Sequence, residues 1–104
     1  MYRIEIPHWV PMLPYSSVDA QMIGISAHKA GIPKAECKRR ISAIFKSPGK
    51  SIQAGDIGGL LKIALTPCGL LRDDSAKWCE LGTVTFARAE NKACTIILED
   101  IPHG

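Results

Sequence analysis

The sequence predicts an α+β fold, and two kinds of pattern together with the chain length support that class. Apolar and polar residues alternate near both ends of the chain, as in half-buried strands, whereas apolar residues recur with a helical period between them. The 104 residues suit a single domain covering residues 1–104. We expect an N-terminal strand, a two-helix hairpin and a small antiparallel sheet that ends in a β-hairpin, with the helices on one face of the sheet.

The first strand is predicted at residues 2–6. Tyr2, Ile4 and Ile6 alternate there with two charged residues, which is the period of a strand with one buried face. Pro7 has no N–H to donate to a ladder, so we expect the strand to end there.

The first helix is predicted at residues 17–30. Ser16 or Ser17 is a suitable N-cap, because a serine side chain can accept a hydrogen bond from the first turn. Gly31 follows the helix at the position where a left-handed backbone conformation commonly ends it.

The second helix is predicted from Pro33 to about Phe45. Proline suits the first turn of a helix, where its missing N–H has no partner to lose. Apolar residues then follow the i, i+4, i+7, i+8 spacing of a buried helix face: Cys37, Ile41, Ile44 and Phe45.

Residues 56–66 fit two structures. The helical alternative is capped by Asp56 and has its apolar face at Ile57, Leu60, Leu61, Ala64 and Leu65. The strand alternative has Leu61, Ile63 and Leu65 on one face. The adjacent glycines at positions 58 and 59 weaken a helix by roughly 2 kcal/mol relative to alanines, so we favour a strand over residues 60–66.

The last two strands are predicted at residues 83–89 and 93–99. Both segments alternate and are rich in Thr, Val, Ile and Phe, and Asn91 lies in the short connection between them. This pattern is typical of an antiparallel hairpin.

Residues 7–15 contain three prolines and two aromatic residues. The favoured interpretation is an extended connector that packs across the domain surface, because each proline biases its neighbourhood toward extended geometry. The alternative is a docking segment, in which Pro11 and Pro14 form a PxxP motif. The residues that would then contact a partner are Trp9, Met12 and Tyr15.

Positive charge is concentrated in the first half of the chain. Seven basic residues and a single acid, Glu36, lie between Lys29 and Lys50, whereas the last third of the chain is net acidic. Lysine and arginine neutralise phosphates, so this segment is a candidate nucleic-acid contact. The residues predicted to make that contact are Lys29, Lys34, Lys38, Arg39, Lys46 and Lys50.

A small residue, Ala27, precedes an Ala30-Gly31-Ile32 turn within this basic segment. Over about 20 residues the segment resembles a lambda-repressor-type helix-turn-helix, in which a small residue lets the two helices approach and glycine supplies a positive φ at the turn. Ser26 and Arg40 depart from the pattern, which has apolar residues there. The resemblance implies that the second helix enters the DNA major groove. It would bring Pro33, Lys34, Glu36, Lys38 and Arg39 toward the DNA.

Several classes of protein are disfavoured. No apolar run approaches the roughly 20 residues needed to span a bilayer, and the first residues lack the pattern of a signal peptide, so we expect a cytoplasmic protein. The cysteines, at positions 37, 68, 79 and 94, contain no CxxC pair, and the histidines are scattered. We therefore expect free thiols, no metal site and no cofactor. No nucleophile–base motif is present, and we do not expect an enzyme.

The leading functional hypothesis is a small nucleic-acid-binding or regulatory protein that acts as a dimer. The alternative is a non-enzymatic interaction module, such as an inhibitor or adaptor. It would bind a larger protein through residues 7–15 or through an exposed sheet edge.

Overall fold

Two helices and four strands make up the part of the chain that the computed structural model describes, namely residues 1–12, 15–48, 57–73 and 75–102. The elements follow the order β1 (Tyr2–Pro7), α1 (Ser17–Lys29), β2 (Lys38–Ser47), α2 (Ile57–Leu65), β3 (Cys79–Arg88) and β4 (Ala93–Ile101). The α+β class and the N-terminal strand are confirmed.

The strands form one mixed sheet in the order β1-β4-β2-β3. Strand β4 is antiparallel to both of its neighbours, whereas β2 and β3 are parallel. The expectation of an antiparallel sheet therefore applies to the pairs that contain β4 and not to β2 with β3. The last two strands run in opposite directions and are joined by the short segment 89–92, with β2 lying between them in the sheet.

One face of the sheet forms the core with the two helices. Alternate residues of β1, β2 and β4 are buried on this face, and both helices contribute buried side chains to the same cluster. The helical contributors are Ile23, Ala27, Ile57, Leu60, Leu61, Ala64 and Leu65. The helices therefore cover one face of the sheet, and the opposite face remains half-exposed.

Helix α1 begins and ends at the residues that the sequence indicates. Ser16 occupies the N-cap position, and its N–H and hydroxyl both donate to the Asp19 carboxylate, at 2.8 and 3.2 Å. Gly31 has a φ of +67° just beyond the helix, which is the left-handed conformation that favours glycine at this position.

The second predicted helix, residues 33–45, is wrong: residues 38–45 belong to β2, one of the two inner strands of the sheet. Arg39, Ile41, Ala43 and Phe45 are buried in alternation along it. A four-residue spacing such as that of Ile41 and Phe45 satisfies both a helical turn and two strand repeats. Hydrogen bonds to β3 on one side and to β4 on the other stabilise the extended form of this segment.

The predicted strand over residues 60–66 is also wrong, because helix α2 covers Ile57–Leu65. Its buried residues are those of the helical alternative. The two glycines fall in the first turn, and the Gly58 backbone packs against the Leu81 side chain. A side chain at position 58 would crowd Leu81, which accounts for a glycine in this helix despite its low helix propensity.

Neither helix of the described chain combines the length and apolar character that crossing a bilayer requires.

Candidate functional site

The basic residues that were predicted to contact nucleic acid do not form one surface. Lys38 and Arg40 project from the half-exposed face of β2, and both contact Glu80 of the neighbouring strand β3. The Arg40 guanidinium also donates to Glu99 of β4 at 3.1 Å. The hydrogen bond from Arg40 is the main cause that holds the pKa of Glu80 below its ordinary value. The acidic C-terminal strands therefore neutralise part of the basic segment.

Arg39 lies on the buried face of β2. Its side chain is only 2% exposed, and its guanidinium donates to Asp100 Oδ1 at 2.7 Å and to the Leu70 carbonyl oxygen at 3.0 Å. It also lies over the Tyr2 ring, 4.9 Å from the ring centroid. In this position Arg39 is a structural cation that joins β2, β4 and the segment after α2.

Three other residues that were predicted to contact nucleic acid have exposed side chains. Lys29, Lys34 and Lys46 make no ion pair with another described residue. Lys29 ends α1, Lys34 follows it in the loop, and Lys46 lies near the far end of β2. Lys50 falls outside the described residues.

The proline-rich segment packs mainly against the core, as the favoured interpretation expected. Val10 and Pro11 are buried, and Trp9 and Tyr15 are half-buried against the core cluster. Met12 is exposed. Pro14 lies outside the described residues, so the PxxP motif is only partly described.

The free edge of β1 has a defined backbone polarity. The His8 N–H donates to the Lys92 carbonyl at 2.8 Å, on the β4 side of the strand. Backbone groups alternate in direction along a strand, so the N–H and C=O groups of Ile4 and Ile6 also point toward β4. Those of Arg3 and Glu5 point away from the sheet and meet no hydrogen-bond partner within the part of the chain that the structure describes.

A groove runs between this free edge and helix α1. It has a volume of about 510 Å³ and is lined by Arg3, Glu5, Ser26, Lys29 and Ala30. The small residues Ser26, in the helix, and Ala30, at its C-cap, leave room beside the strand. We call this groove and the outward backbone of Arg3 and Glu5 the β1 edge site.

Helix α1 carries an exposed apolar stripe next to the β1 edge site. Val18, Met22 and Ile25 follow the i, i+4, i+7 spacing of one helix face, and Val18 and Ile25 are 66% and 57% exposed. The opposite face carries the buried residues Ile23 and Ala27. A helix that is apolar on two faces is typical of one that packs against two neighbours.

The other edge of the sheet, strand β3, is interrupted. Gly82 and Thr83 together stand opposite Ser42, which makes a β-bulge. Bulges twist an edge and limit its pairing with further strands. The regular edge of β1 is therefore better suited to pairing.

A cationic cluster surrounds Trp78, at the start of β3. The Arg72 guanidinium lies 4.2 Å and the Lys77 ammonium 5.3 Å from its ring centroid. The stem of Lys34 packs against Gly69 in the same loop region. Arg72, Lys77 and Trp78 lie close together in the sequence after α2, but their contacts depend on the conformation of the loop, which the residue pattern does not predict.

The four cysteines are free thiols, two buried and two half-buried. Burial raises the pKa of the Cys94 thiol to about 12. Among the described residues, no group of three or more His, Cys, Asp or Glu side chains is placed to hold a metal ion.

Comparison with known proteins gives no assignment: no protein-family profile, no curated protein and no solved structure matches this chain.

The sequence predicts an exposed sheet edge as one alternative contact, but its residue pattern does not locate that edge. The charges of Arg3 and Glu5 on either side of Ile4 were visible. The edge position of β1 was not, because it depends on the strand order of the whole sheet.

Proposed function

We propose that this chain is a protein-interaction module that adds an extended segment of a protein partner to its sheet at the β1 edge site. The observation that carries the proposal is the outward N–H and C=O groups of Arg3 and Glu5 beside an open groove. Such groups are the template for strand addition, in which main-chain hydrogen bonds supply affinity and side chains supply specificity.

The charge of the edge defines the segment that fits it. An antiparallel strand would place an acidic residue opposite Arg3 and a basic residue opposite Glu5, with a β-branched residue between them opposite Ile4. A suitable probe is the acetylated, amidated peptide Thr-Lys-Val-Glu-Val-Thr. The matched control exchanges its Lys and Glu, which keeps the composition and reverses the pairing.

Amide hydrogen exchange of the full chain tests this pairing. The probe is expected to slow exchange at the Arg3 and Glu5 amides and to leave Ile4 and Ile6, which already face β4, unchanged. The control peptide is expected to protect them less. Equal exchange at Arg3 and Glu5 with and without the probe, in a sample dilute enough for the chain to be monomeric, would contradict strand addition.

A substitution at the edge gives an independent check. Glu5→Pro removes an N–H that the β1–β4 ladder does not use, so the fold is expected to tolerate it as it tolerates Pro7. The variant is expected to lose binding of the probe. Unchanged affinity in a folded Glu5→Pro variant would show that the probe binds elsewhere.

Nucleic-acid binding is a second candidate, and the Trp78 cluster favours it. Cations interleaved with an aromatic ring are typical of surfaces that bind single strands. A fluorescence-polarisation titration with duplex and single-stranded oligonucleotides at two salt concentrations tests this function. Binding that weakens steeply with salt and is lost in Arg72→Glu/Lys77→Glu, but not in Lys46→Glu, supports the cluster. Salt-independent or absent binding contradicts it.

A further inference from the structure

We propose that the segment which pairs at the β1 edge site is strand β1 of a second copy of this chain. The pairing rests on the function proposed above and names its partner. Two antiparallel β1 strands related by a twofold axis would join the two sheets into one continuous sheet.

The register follows from the backbone polarity of the edge. Only odd-numbered residues of β1 offer outward N–H and C=O groups, so these must face odd-numbered residues of the second copy. A register with Ile4 opposite Ile4 of the second copy places Arg3 opposite Glu5 twice. Each of these facing pairs exchanges two backbone hydrogen bonds.

The charges of Arg3 and Glu5 favour this register over the registers that are shifted by two residues. Moving the second strand by two residues in one direction places Arg3 opposite Arg3, and moving it in the other places Glu5 opposite Glu5. Like charges directly opposite each other destabilise a strand pair, whereas opposite charges stabilise it. The order Arg3-Ile4-Glu5 is thus complementary to itself in one antiparallel register.

Pro7 lies at a position that is compatible with this register. Pro7 belongs to the outward-facing set and lies opposite Met1 of the second copy, at the end of the paired region. Its missing N–H limits the length of the pairing without interrupting the central bonds. The same residue discourages extended pairing with unrelated strands.

The placement of α1 supports a second copy as the occupant. The helix lies on the Ile4 side of the sheet, so a twofold axis at Ile4 brings the two α1 helices onto the same side of the joined sheet. The side of each α1 that lines the groove, with the small residues Ser26 and Ala30, then faces the axis and leaves room for the second copy.

Sedimentation equilibrium tests the pairing through charge reversal. The wild-type chain is expected to show a mass twice that of the 11.3 kDa monomer. Glu5→Arg and Arg3→Glu, each alone, place like charges opposite each other and are expected to weaken the dimer at least tenfold. The double variant Arg3→Glu/Glu5→Arg restores complementarity and is expected to dimerise again.

The matched control is Glu90→Arg, which makes the same charge change at an exposed residue away from the edge and is expected to leave the dimer unchanged. Circular dichroism shows whether each variant is folded. If Glu5→Arg does not fold, Arg3→Glu carries the same comparison.

The outcomes separate this inference from the proposed function. A dimer that resists both single reversals, or a double variant that stays monomeric, overturns pairing through β1. A wild-type chain that is monomeric at all concentrations also overturns it, even if the Thr-Lys-Val-Glu-Val-Thr probe still protects Arg3 and Glu5. In that case strand addition stands with a different partner.

Discussion

Arg39 and Asp100 form an ion pair across the β2–β4 ladder, with 2.7 Å between Arg39 Nε and Asp100 Oδ1. The arginine is almost fully buried, whereas the Asp100 side chain is 39% exposed. The pair therefore lies at the boundary of the core. Desolvation of the cation is offset by a carboxylate, the Leu70 carbonyl and the Tyr2 ring.

Removing the carboxylate is expected to destabilise the fold. Asp100→Ala leaves the Arg39 charge buried without its counterion, and the free energy of unfolding should fall by about 2 kcal/mol, less than for a fully buried pair because Asp100 is partly solvated. Urea unfolding measures the change. Glu90→Ala, at an exposed position in the 89–92 connection, is the control and should change stability by less than about 0.5 kcal/mol. Equal effects would show that the pair contributes nothing.

The same contacts predict a loss of stability in acid. Hydrogen bonds from Arg39 and Arg40 hold the pKa values of Asp100 and Glu80 below their ordinary values of 3.8 and 4.5. A carboxylate with a lowered folded-state pKa stabilises the fold above its unfolded pKa, and that stability is lost as the pH falls through the folded pKa. We expect the thermal unfolding midpoint to be level well above pH 4.5 and to fall as the pH drops through 4.5 and below it.

Neutral variants check the assignment of that acid transition. In Asp100→Asn/Glu80→Gln the midpoint is expected to be lower near neutral pH and to change less below pH 4.5 than in the wild type, because two of the linked protons are removed. Thermal unfolding at a series of pH values gives both curves. If the midpoints of the variant and the wild type fall in parallel with pH, the loss of stability in acid comes from other carboxylates.

Elements whose apolar residues fit only the helical or only the strand repeat were predictable from sequence. Strand β1 alternates over its whole length, and α1 has a serine cap and a left-handed glycine at Gly31. Strand β2 was not predictable, because the spacing of Ile41 and Phe45 fits both the helical and the strand period. Its extended form depends on pairing with β3 and β4, which are distant in the sequence.

The candidate site depends even more on distant contacts. The charges of Arg3 and Glu5 are local, but their outward direction depends on β4 occupying the other side of β1. Likewise Lys38 and Arg39 look alike in sequence. Their difference in burial follows from strand alternation, which places Lys38 on the half-exposed face and Arg39 on the core face.

Thiol reactivity is expected to differ sharply among the cysteines. With a pKa of about 12, the Cys94 thiol is ionised in only about one molecule in 10,000 at pH 8. Iodoacetamide should therefore modify the half-buried Cys37 and Cys68 well before Cys94 in the native chain. Peptide mass spectrometry follows each site, and unfolding in urea is the control that should make all of them reactive. Early labelling of Cys94 in the native chain would contradict its burial in the β4 core face.

The bulge in β3 requires a glycine at position 82. A Cβ there would lie 2.5 Å from Ser42 Oγ and 3.0 Å from the Arg40 side-chain stem, so Gly82→Ala forces these side chains or the strand backbone to shift. Overpacking of this kind costs about 1–3 kcal/mol. The Arg40 stem can move aside along several torsions, whereas the Ser42 hydroxyl can leave the contact only by rotating to another χ1 rotamer.

A double-mutant cycle isolates the Ser42 contact. Ser42→Ala removes the hydroxyl, so Gly82→Ala is expected to cost less in that background, with a coupling of at least 0.5 kcal/mol (roughly the lower bound for residues in contact). Gly31→Ala is the control: beyond its chain neighbours, no atom of the described residues lies within 4 Å of its Cβ position, and its cost of about 1 kcal/mol comes from the φ of +67°. Gly31→Ala should show no coupling to Ser42→Ala. Urea unfolding of the variants completes the cycle, and additive effects at positions 82 and 42 would show that the bulge relaxes around the new methyl group.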